Sequence, residues 1–375
     1  FGFLRMGTSG MTSQAYGQRN LDGVASLLAR SIVVALGIAF IIILLQTPIC
    51  NIALAFINLD SPTALAARTY FSICIWGAPA MLCLYSLTGW YIGMQNTRLP
   101  MMISILQNVV NIVASLLFVY ALDMNIEGVA LGTLTAQWFA IIVSLLLWTN
   151  TYAKRLFHRI HWNNIINGTA MQRFFTVNRD IFLRTLFIVS VNFYFLSAGA
   201  AEGTIVLAVN TLLMQLFTLF SSVMDGFAYA GEALCGRLYG AGNHQEFNKT
   251  LYRLFGWGIA LSTIYTLVYA IGGSAFLSLL TNDAEVIAAS TSYLPWAVFI
   301  PLCGMAAFVW DGVFIGTTST RGMLLSSALS ALLFFIVYIS LRYQLHNHAL
   351  WLAFLVYLAA RGVAQTIIFK RSQHL

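Results

Sequence analysis

Between Arg30 and Asp60 the chain reads SIVVALGIAFIIILLQTPICNIALAFINL, without one charged side chain. Apolar residues follow one another there instead of alternating with a period of two, which fits neither a half-buried strand nor a lipid-facing barrel strand. A helix crossing a hydrocarbon core of about 30 Å needs roughly 20 such residues, and it satisfies its own backbone polar groups. Runs of this kind recur near 25–50, 68–94, 100–121, 127–149, 181–200, 204–232, 254–280, 288–318, 323–342 and 347–369. Hydrophobic residues make up 59% of the 375 positions and charged ones only 8%, against about 25% charged in soluble domains. A soluble globular domain is excluded, and the fold class is an all-α polytopic membrane protein embedded in the lipid bilayer.

The net charge of +7 does not point to nucleic acid. The Lys and Arg residues are scattered over loops at alternate helix ends and form no basic face. With the loop holding Arg19 taken as cytoplasmic, Arg98, Lys154, Arg155, Arg237, Lys249, Arg321 and Lys370 fall on the same side. The opposite side collects Asp60, Asp123, Glu127, Glu202, Asp283 and Glu285, with Arg68 and Arg342 as its cations. That bias orients every helix consistently and predicts a multi-pass protein of the inner (plasma) membrane with its C-terminus cytoplasmic. Cys50, Cys74, Cys83, Cys235 and Cys303 are odd in number and show no paired spacing, so they read as buried apolar thiols.

The chain also repeats itself. A shift of 223 positions carries Tyr16, Gly17 and Asn20 onto Tyr239, Gly240 and Asn243, and Arg30 onto Arg253. It also carries Gly89, Ile92, Gly93, Thr97 and Arg98 onto Gly312, Ile315, Gly316, Thr320 and Arg321. One gapless offset across so many positions marks a duplication. With six helices per copy the two run parallel, related by an axis along the membrane normal. The expected organisation is an N-terminal lobe over 1–151, a basic cytoplasmic linker over 152–176 and a C-terminal lobe over 177–375. Gly2 aligns with Asp225 inside an apolar run, so the first copy is expected to lack its first helix and most of its second.

Ionisable groups inside membrane helices are costly and each needs a reason. Asp225, Glu232, Asp311 and Arg184 are the candidates. A desolvated carboxylate can load a proton or cation and couple an ion gradient to a conformational change; alternatively, the four can form a structural ion-pair cluster. Asp311 aligns with Thr88 and is not repeated, so any such task belongs to one copy. Amides form a second group. Gln107, Asn108 and Asn111 make a polar stripe on adjacent turns, and Asn192, Asn210 and Gln215 join them as candidates to line a substrate cavity or to hydrogen-bond between helices. Gln137 and Gln365 are intramembrane amides as well. Pro79, Pro295 and Pro301 are expected to interrupt long spans. No P-loop, paired-Cys cluster or His-Glu-x-x-His occurs, so no nucleotide, metal or other cofactor is expected.

Several motifs resemble the multidrug and toxic compound extrusion (MATE) family, and within it the DNA-damage-inducible DinF branch. They are Gln14-Ala15-Tyr16-Gly17-Gln18, Gly93-Met94-Gln95-Asn96-Thr97-Arg98, Asp225-Gly226-Phe227-Ala228-Tyr229-Ala230-Gly231-Glu232 and Trp310-Asp311-Gly312-Val313-Phe314-Ile315-Gly316. The resemblance implies two six-helix bundles forming a V, and alternating access. It also implies export of small organic, often cationic, substrates against protons or sodium ions, by a monomer. It ranks Asp311 first, by similarity to an acidic position on the family's tenth helix. It also departs from the family in two places: the branch's first-helix acid would lie upstream of Phe1, and Ser115 stands where the family often has an acid.

The alternatives are a lipid-linked sugar flippase of the same superfamily and a membrane-embedded enzyme. A flippase calls for a strongly cationic cavity, whereas the intramembrane charges are mostly acidic, with Arg184 and Arg361 as exceptions. An enzyme calls for a convergent His, Ser or Cys site, whereas His158, His161, His244, His346, His348 and His374 are all expected in loops or the tail.

Overall fold

The computed structural model describes residues 1–56 and 61–373; Asp60 and His374 lie outside them. The regular elements among them are helical: α1 (Gly2–Gly17), α2 (Leu21–Leu44), α3 (Gln46–Phe56), α4 (Ser61–Cys74), α5 (Ala78–Gly93), α6 (Arg98–Leu116), α7 (Ile126–Trp148), α8 (Lys154–Leu156), α9 (Trp162–Ile165), α10 (Gly168–Ala201), α11 (Thr204–Ala230), α12 (Gly236–Gly240), α13 (His244–Leu280), α14 (Ala284–Gly316), α15 (Thr320–Leu345) and α16 (Asn347–Gln373). Among the described residues ten helical stretches are long and apolar enough to cross a membrane, one for each run read from the sequence.

Two compact units emerge, Phe1–Phe175 and Thr176–Leu375. The boundary falls inside α10. The segment 152–176 is not an open loop: it folds into α8, a 3₁₀ turn over Phe157–Arg159, α9 and the first turns of α10. Arg30 of α2 fixes it in place, donating from Nε to the Ile165 carbonyl at 3.0 Å and from Nη2 to the Asn164 carbonyl at 2.6 Å. A buried guanidinium satisfied by carbonyls freed at a short helix end explains why this basic stretch packs on the first unit.

The duplication is written into the backbone at the same offset of 223. Asn20 caps α2 by accepting from the Gly23 amide at 2.8 Å, and Asn243 caps α13 by accepting from the Glu246 amide at 3.1 Å. Left-handed residues pair off as Arg19 with Gly242, Gln95 with Thr318 and Asp123 with His346, with φ between 48° and 67°. Helix packing repeats too. A Cβ on Gly89 would fall on the Arg5 carbonyl oxygen, and one on Gly312 would fall on that of Ala228, the register partner of Arg5. Both glycines therefore permit the close backbone approach of α5 to α1 and of α14 to α11.

The prolines behave differently from one another. Pro79 follows a 3₁₀ turn over Ile75–Gly77 and sits in the first turn of α5, where its missing N–H removes no helical bond. Pro295 and Pro301 lie inside α14, which runs on unbroken from Ala284 to Gly316. The expected interruption is confined to Pro79, because a long membrane helix packed on neighbours can absorb an interior proline. The five cysteines are free.

Candidate functional site

The strongest concentration of buried charge lies within the second unit, around Asp311. This residue sits five positions before the end of α14 and is 4% exposed. Its Oδ2 accepts from Nη2 of Arg184 on α10 and, at 2.8 Å, from Nη2 of Arg361 on α16. Its Oδ1 accepts from Nε2 of Gln365 at 2.6 Å. One carboxylate thus ties three helices together.

Helical periodicity sets this up. Tyr357, Arg361 and Gln365 are spaced by four on α16 and share one face. Arg361 Nη1 lies 3.5 Å from the Tyr357 hydroxyl, and its guanidinium carbon lies 5.6 Å from the centre of the Phe308 ring, one turn before Asp311. Aromatic faces help hold a cation out of water. The cluster still carries two guanidiniums on one carboxylate, a formal surplus of one positive charge in a buried site. Nε of Arg184, Nε of Arg361 and Oε1 of Gln365 have no hydrogen-bond partner among the described residues. Such a site is electrostatically loaded: removing the carboxylate's charge would leave both guanidiniums uncompensated.

The other three predicted site residues have different fates. Arg184 is the one brought to Asp311. Asp225, on α11, is exposed and is not among the partners of either. Glu232 is fully buried in a π-helical turn over Gly231–Cys235, a geometry in which helices often depart from regularity near functional positions. The four therefore do not form one cluster.

The amides read as cavity-lining candidates divide in the same way. Asn210 is fully buried in a closed network: it exchanges hydrogen bonds with Asn347 at 2.8 and 2.9 Å and accepts from Trp351 Nε1 at 2.9 Å. That is a tie between α11 and α16, not a cavity wall. Gln107 reaches Met81 Sδ on α5 at 3.6 Å, and Asn111 reaches Thr133 on α7 at 3.2 Å, so both bridge helices. Asn192 donates back to the Ile188 carbonyl of its own helix at 3.0 Å. Asn108 and Gln215 are exposed.

Two residues carry more than the sequence reading gave them. Asp180, 3% exposed, accepts from Arg179 at 3.0 Å and from the Thr320 hydroxyl at the start of α15 at 3.1 Å. It precedes Arg184 by four on α10, the spacing that would have flagged it. His348 is not a loop residue: it lies in the first turn of α16, packs its ring at a tilt against that of Tyr293, with centres 4.6 Å apart, and accepts at Nδ1 from Trp296 at 2.9 Å.

With this geometry in place, comparison with known proteins gives a consistent result. The MatE family matches residues 1–117 and 181–339. DNA damage-inducible protein F of Escherichia coli is 34% identical over 369 residues, which span 98% of this chain and 80% of that protein. Protein DETOXIFICATION 42 of Arabidopsis thaliana is 23% identical over 92% of this chain and 65% of its own length. Multidrug and toxin extrusion protein 2 of mouse is 26% identical over 82% of this chain, which spans 53% of that relative. Among solved structures, a MATE protein in the bent conformation superposes with a TM-score of 0.88, at 15% identity over 99% of this chain and 83% of that one. An outward-facing multidrug resistance MATE family transporter superposes at 0.83, with 17% identity over 99% of this chain and 83% of that one. At such identities the structures speak for the fold alone.

Proposed function

This chain belongs to the MatE family of multi-pass membrane transporters, and from that premise we propose that it is a proton-coupled antiporter exporting small organic compounds by alternating access. The mouse and human relatives named for multidrug and toxin extrusion support organic substrates. The observation that carries the coupling reading is the buried carboxylate of Asp311, which joins α10, α14 and α16. A proton arriving there neutralises the carboxylate and loosens its hold on Arg184 and Arg361. Helices fixed in one arrangement then become free to adopt another.

A proton suits this site better than sodium. Either ion raises the site's charge by one, but a sodium ion would also have to gather several oxygen ligands around a carboxylate whose oxygens already accept from Arg184, Arg361 and Gln365. A proton instead forms a bond to an oxygen and needs no coordination shell. The placement of Arg and Lys supports an inner-membrane location with a cytoplasmic C-terminus. A lipid-linked sugar flippase is less well supported, since both cations of the cluster are engaged by Asp311 and do not present an open pyrophosphate cradle.

The test uses the full protein in proteoliposomes with proton and sodium gradients imposed separately and a fluorescent organic cation as cargo. A proton gradient is expected to drive export and a sodium gradient to leave it unchanged. Asp311→Asn is expected to abolish gradient-driven export. Since that change strands two guanidiniums, Asp311→Asn combined with Arg184→Gln serves as the better-folded control and is expected to bind cargo without coupled export. Undiminished proton-driven export by either variant would remove Asp311 from the mechanism, and activation by sodium alone would replace the coupling ion.

A further inference from the structure

Asp311 carries two guanidiniums, and the two are not equally supported. Arg361 also meets the Tyr357 hydroxyl at 3.5 Å, and its guanidinium carbon lies 5.6 Å from the centre of the Phe308 ring and 6.0 Å from that of Tyr357. Arg184 has Asp311 as its hydrogen-bond partner and a buried Nε that meets no acceptor among the described residues. A proton on Asp311 therefore strands Arg184 more completely than Arg361. A buried guanidinium without a counter-charge is strongly unfavourable.

Three acids are buried among the described residues, Asp180, Glu232 and Asp311. Glu232 lies on the π turn that follows α11, whereas Asp180 shares α10 with Arg184 and precedes it by four. That spacing puts both side chains on one face with the acid first, the better order for a helical ion pair. Long side chains on a helix also lean back over the preceding turn, which for Arg184 is the turn that carries Asp180. Asp180 Oδ2 accepts from the Thr320 hydroxyl at the start of α15 at 3.1 Å, and Oδ1 accepts from the neighbouring Arg179, at 3.0 Å from Nη2 and 3.3 Å from Nε. The side chain of Asp180 is 5% exposed and that of Arg179 is 66% exposed, so Arg179 loses little by returning to water.

We propose that Asp180 is the second counter-ion of Arg184: when a proton neutralises Asp311, the Arg184 guanidinium turns back along α10 and pairs with Asp180 Oδ1, displacing Arg179. The exchange rests on the reading of Asp311 as the proton site. One proton in and one guanidinium out leave the surroundings of Asp311 with their original surplus of one positive charge, so no uncompensated charge accumulates there. The tie between α10 and α14 opens, while Thr320 keeps α10 joined to α15. Asp180 is a positioning residue in this scheme, since it meets the proton only through Arg184.

Thermal unfolding of the full-length protein in detergent tests the exchange, with Asp311→Asn standing for the proton-loaded carboxyl. Asp180→Asn keeps an oxygen for Thr320 and removes the charge. It is expected to lower the melting temperature by about 5 °C or more in the Asp311→Asn background, where Arg184 needs the carboxylate, and by about 2 °C or less with Asp311 intact or with Arg184→Gln added. Asp180→Glu in the Asp311→Asn background is expected to retain most of the stability. Equal losses in all three backgrounds would overturn the proposal, because a purely structural Asp180 would produce them. If Asp311→Asn does not fold, the pH profile of proton-driven export decides: Asp180→Asn is expected to need about tenfold more protons for half-maximal export, or about one pH unit, and an unshifted profile overturns the proposal. The unfolding comparison reads ion pairing and not transport. It can fail while export still depends on Asp311, which separates failure of the exchange from failure of the coupling reading.

Discussion

Residues 2–17 and 225–240 are the same stretch of helix in the two copies, and they differ in what they bury. In the first copy α1 keeps regular α geometry and buries the hydroxyls Thr8, Ser9, Thr12 and Ser13. In the second those positions are Gly231, Glu232, Cys235 and Gly236, and the backbone opens into a π turn. No residue has been inserted, because the offset of 223 holds on both sides: the Arg5 and Ala228 carbonyls face Gly89 and Gly312, and the Ser9 and Glu232 carbonyls face Gly93 and Gly316. The copies therefore share close backbone approaches and differ in side-chain chemistry. Fold is stored in glycines, caps and left-handed turns, and among the described residues the buried acids Asp180, Glu232 and Asp311 were placed in the second copy without disturbing them.

The sharpest way to break that comparison is to remove a buried acid from the second copy. Asp311→Ala is expected to lower stability by about 3–5 kcal/mol, because two buried guanidiniums lose their carboxylate. Thr88→Ala, at the matching position of the first copy, is expected to cost less than about 1 kcal/mol. Thermal unfolding in detergent measures both. Near-equal losses would mean that the Asp311 cluster contributes little to holding α10, α14 and α16 together, and the contrast between the copies would fail.

Much of this was legible in the sequence and some was not, for identifiable reasons. Hydropathy located all ten spans, since bilayer thickness sets their length. The constant offset announced the duplication, and the caps and left-handed residues now repeat at it. The partnership of Arg184 with Asp311 spans 127 positions, and nothing in one sequence fixes which of several intramembrane acids an arginine will meet. Arg361 and Gln365 were more accessible, since their spacing from Tyr357 puts all three on one face of α16. Asn210 failed as a cavity residue because hydropathy gives an amide's depth but not the direction in which it faces; its partners Asn347 and Trp351 lie on another helix. The linker 152–176 was legible as a basic connector but its helical turns were not, because its polarity is that of a loop, whereas Arg30, read only as a topological charge, pins it.

The glycine pair tests the shared part of the comparison at intermediate cost. Gly89→Val and Gly312→Val each force a side chain onto a backbone carbonyl of the neighbouring helix, which cannot yield as a flexible side chain would. Each is expected to destabilise by about 1–3 kcal/mol, the usual scale of overpacking. Similar losses in the two copies would confirm that helix approach, and not charge, is what the duplication preserved. Tolerance of valine at Gly312 alone would show that the π turn had relieved the second copy's packing.

The smallest effect is expected at the caps, and it is the cleanest comparison because the two sites differ least. Asn20 and Asn243 adopt nearly the same backbone geometry, φ −86° and ψ 83° against φ −90° and ψ 77°, and each accepts from the amide three residues on. Replacing either by alanine leaves one first-turn donor to water and is expected to cost about 1 kcal/mol. The second site carries the added Glu246–Lys249 pair in the same turn, but both side chains are substantially solvated, so the pair should add little to the difference. Equal shifts in melting temperature for Asn20→Ala and Asn243→Ala would place the caps with the glycines as copy-independent scaffold. A markedly larger shift at Asn20 would instead tie that cap to the packing of the linker on the first unit, because Asn20 lines a crevice together with Asn164 and Asn167.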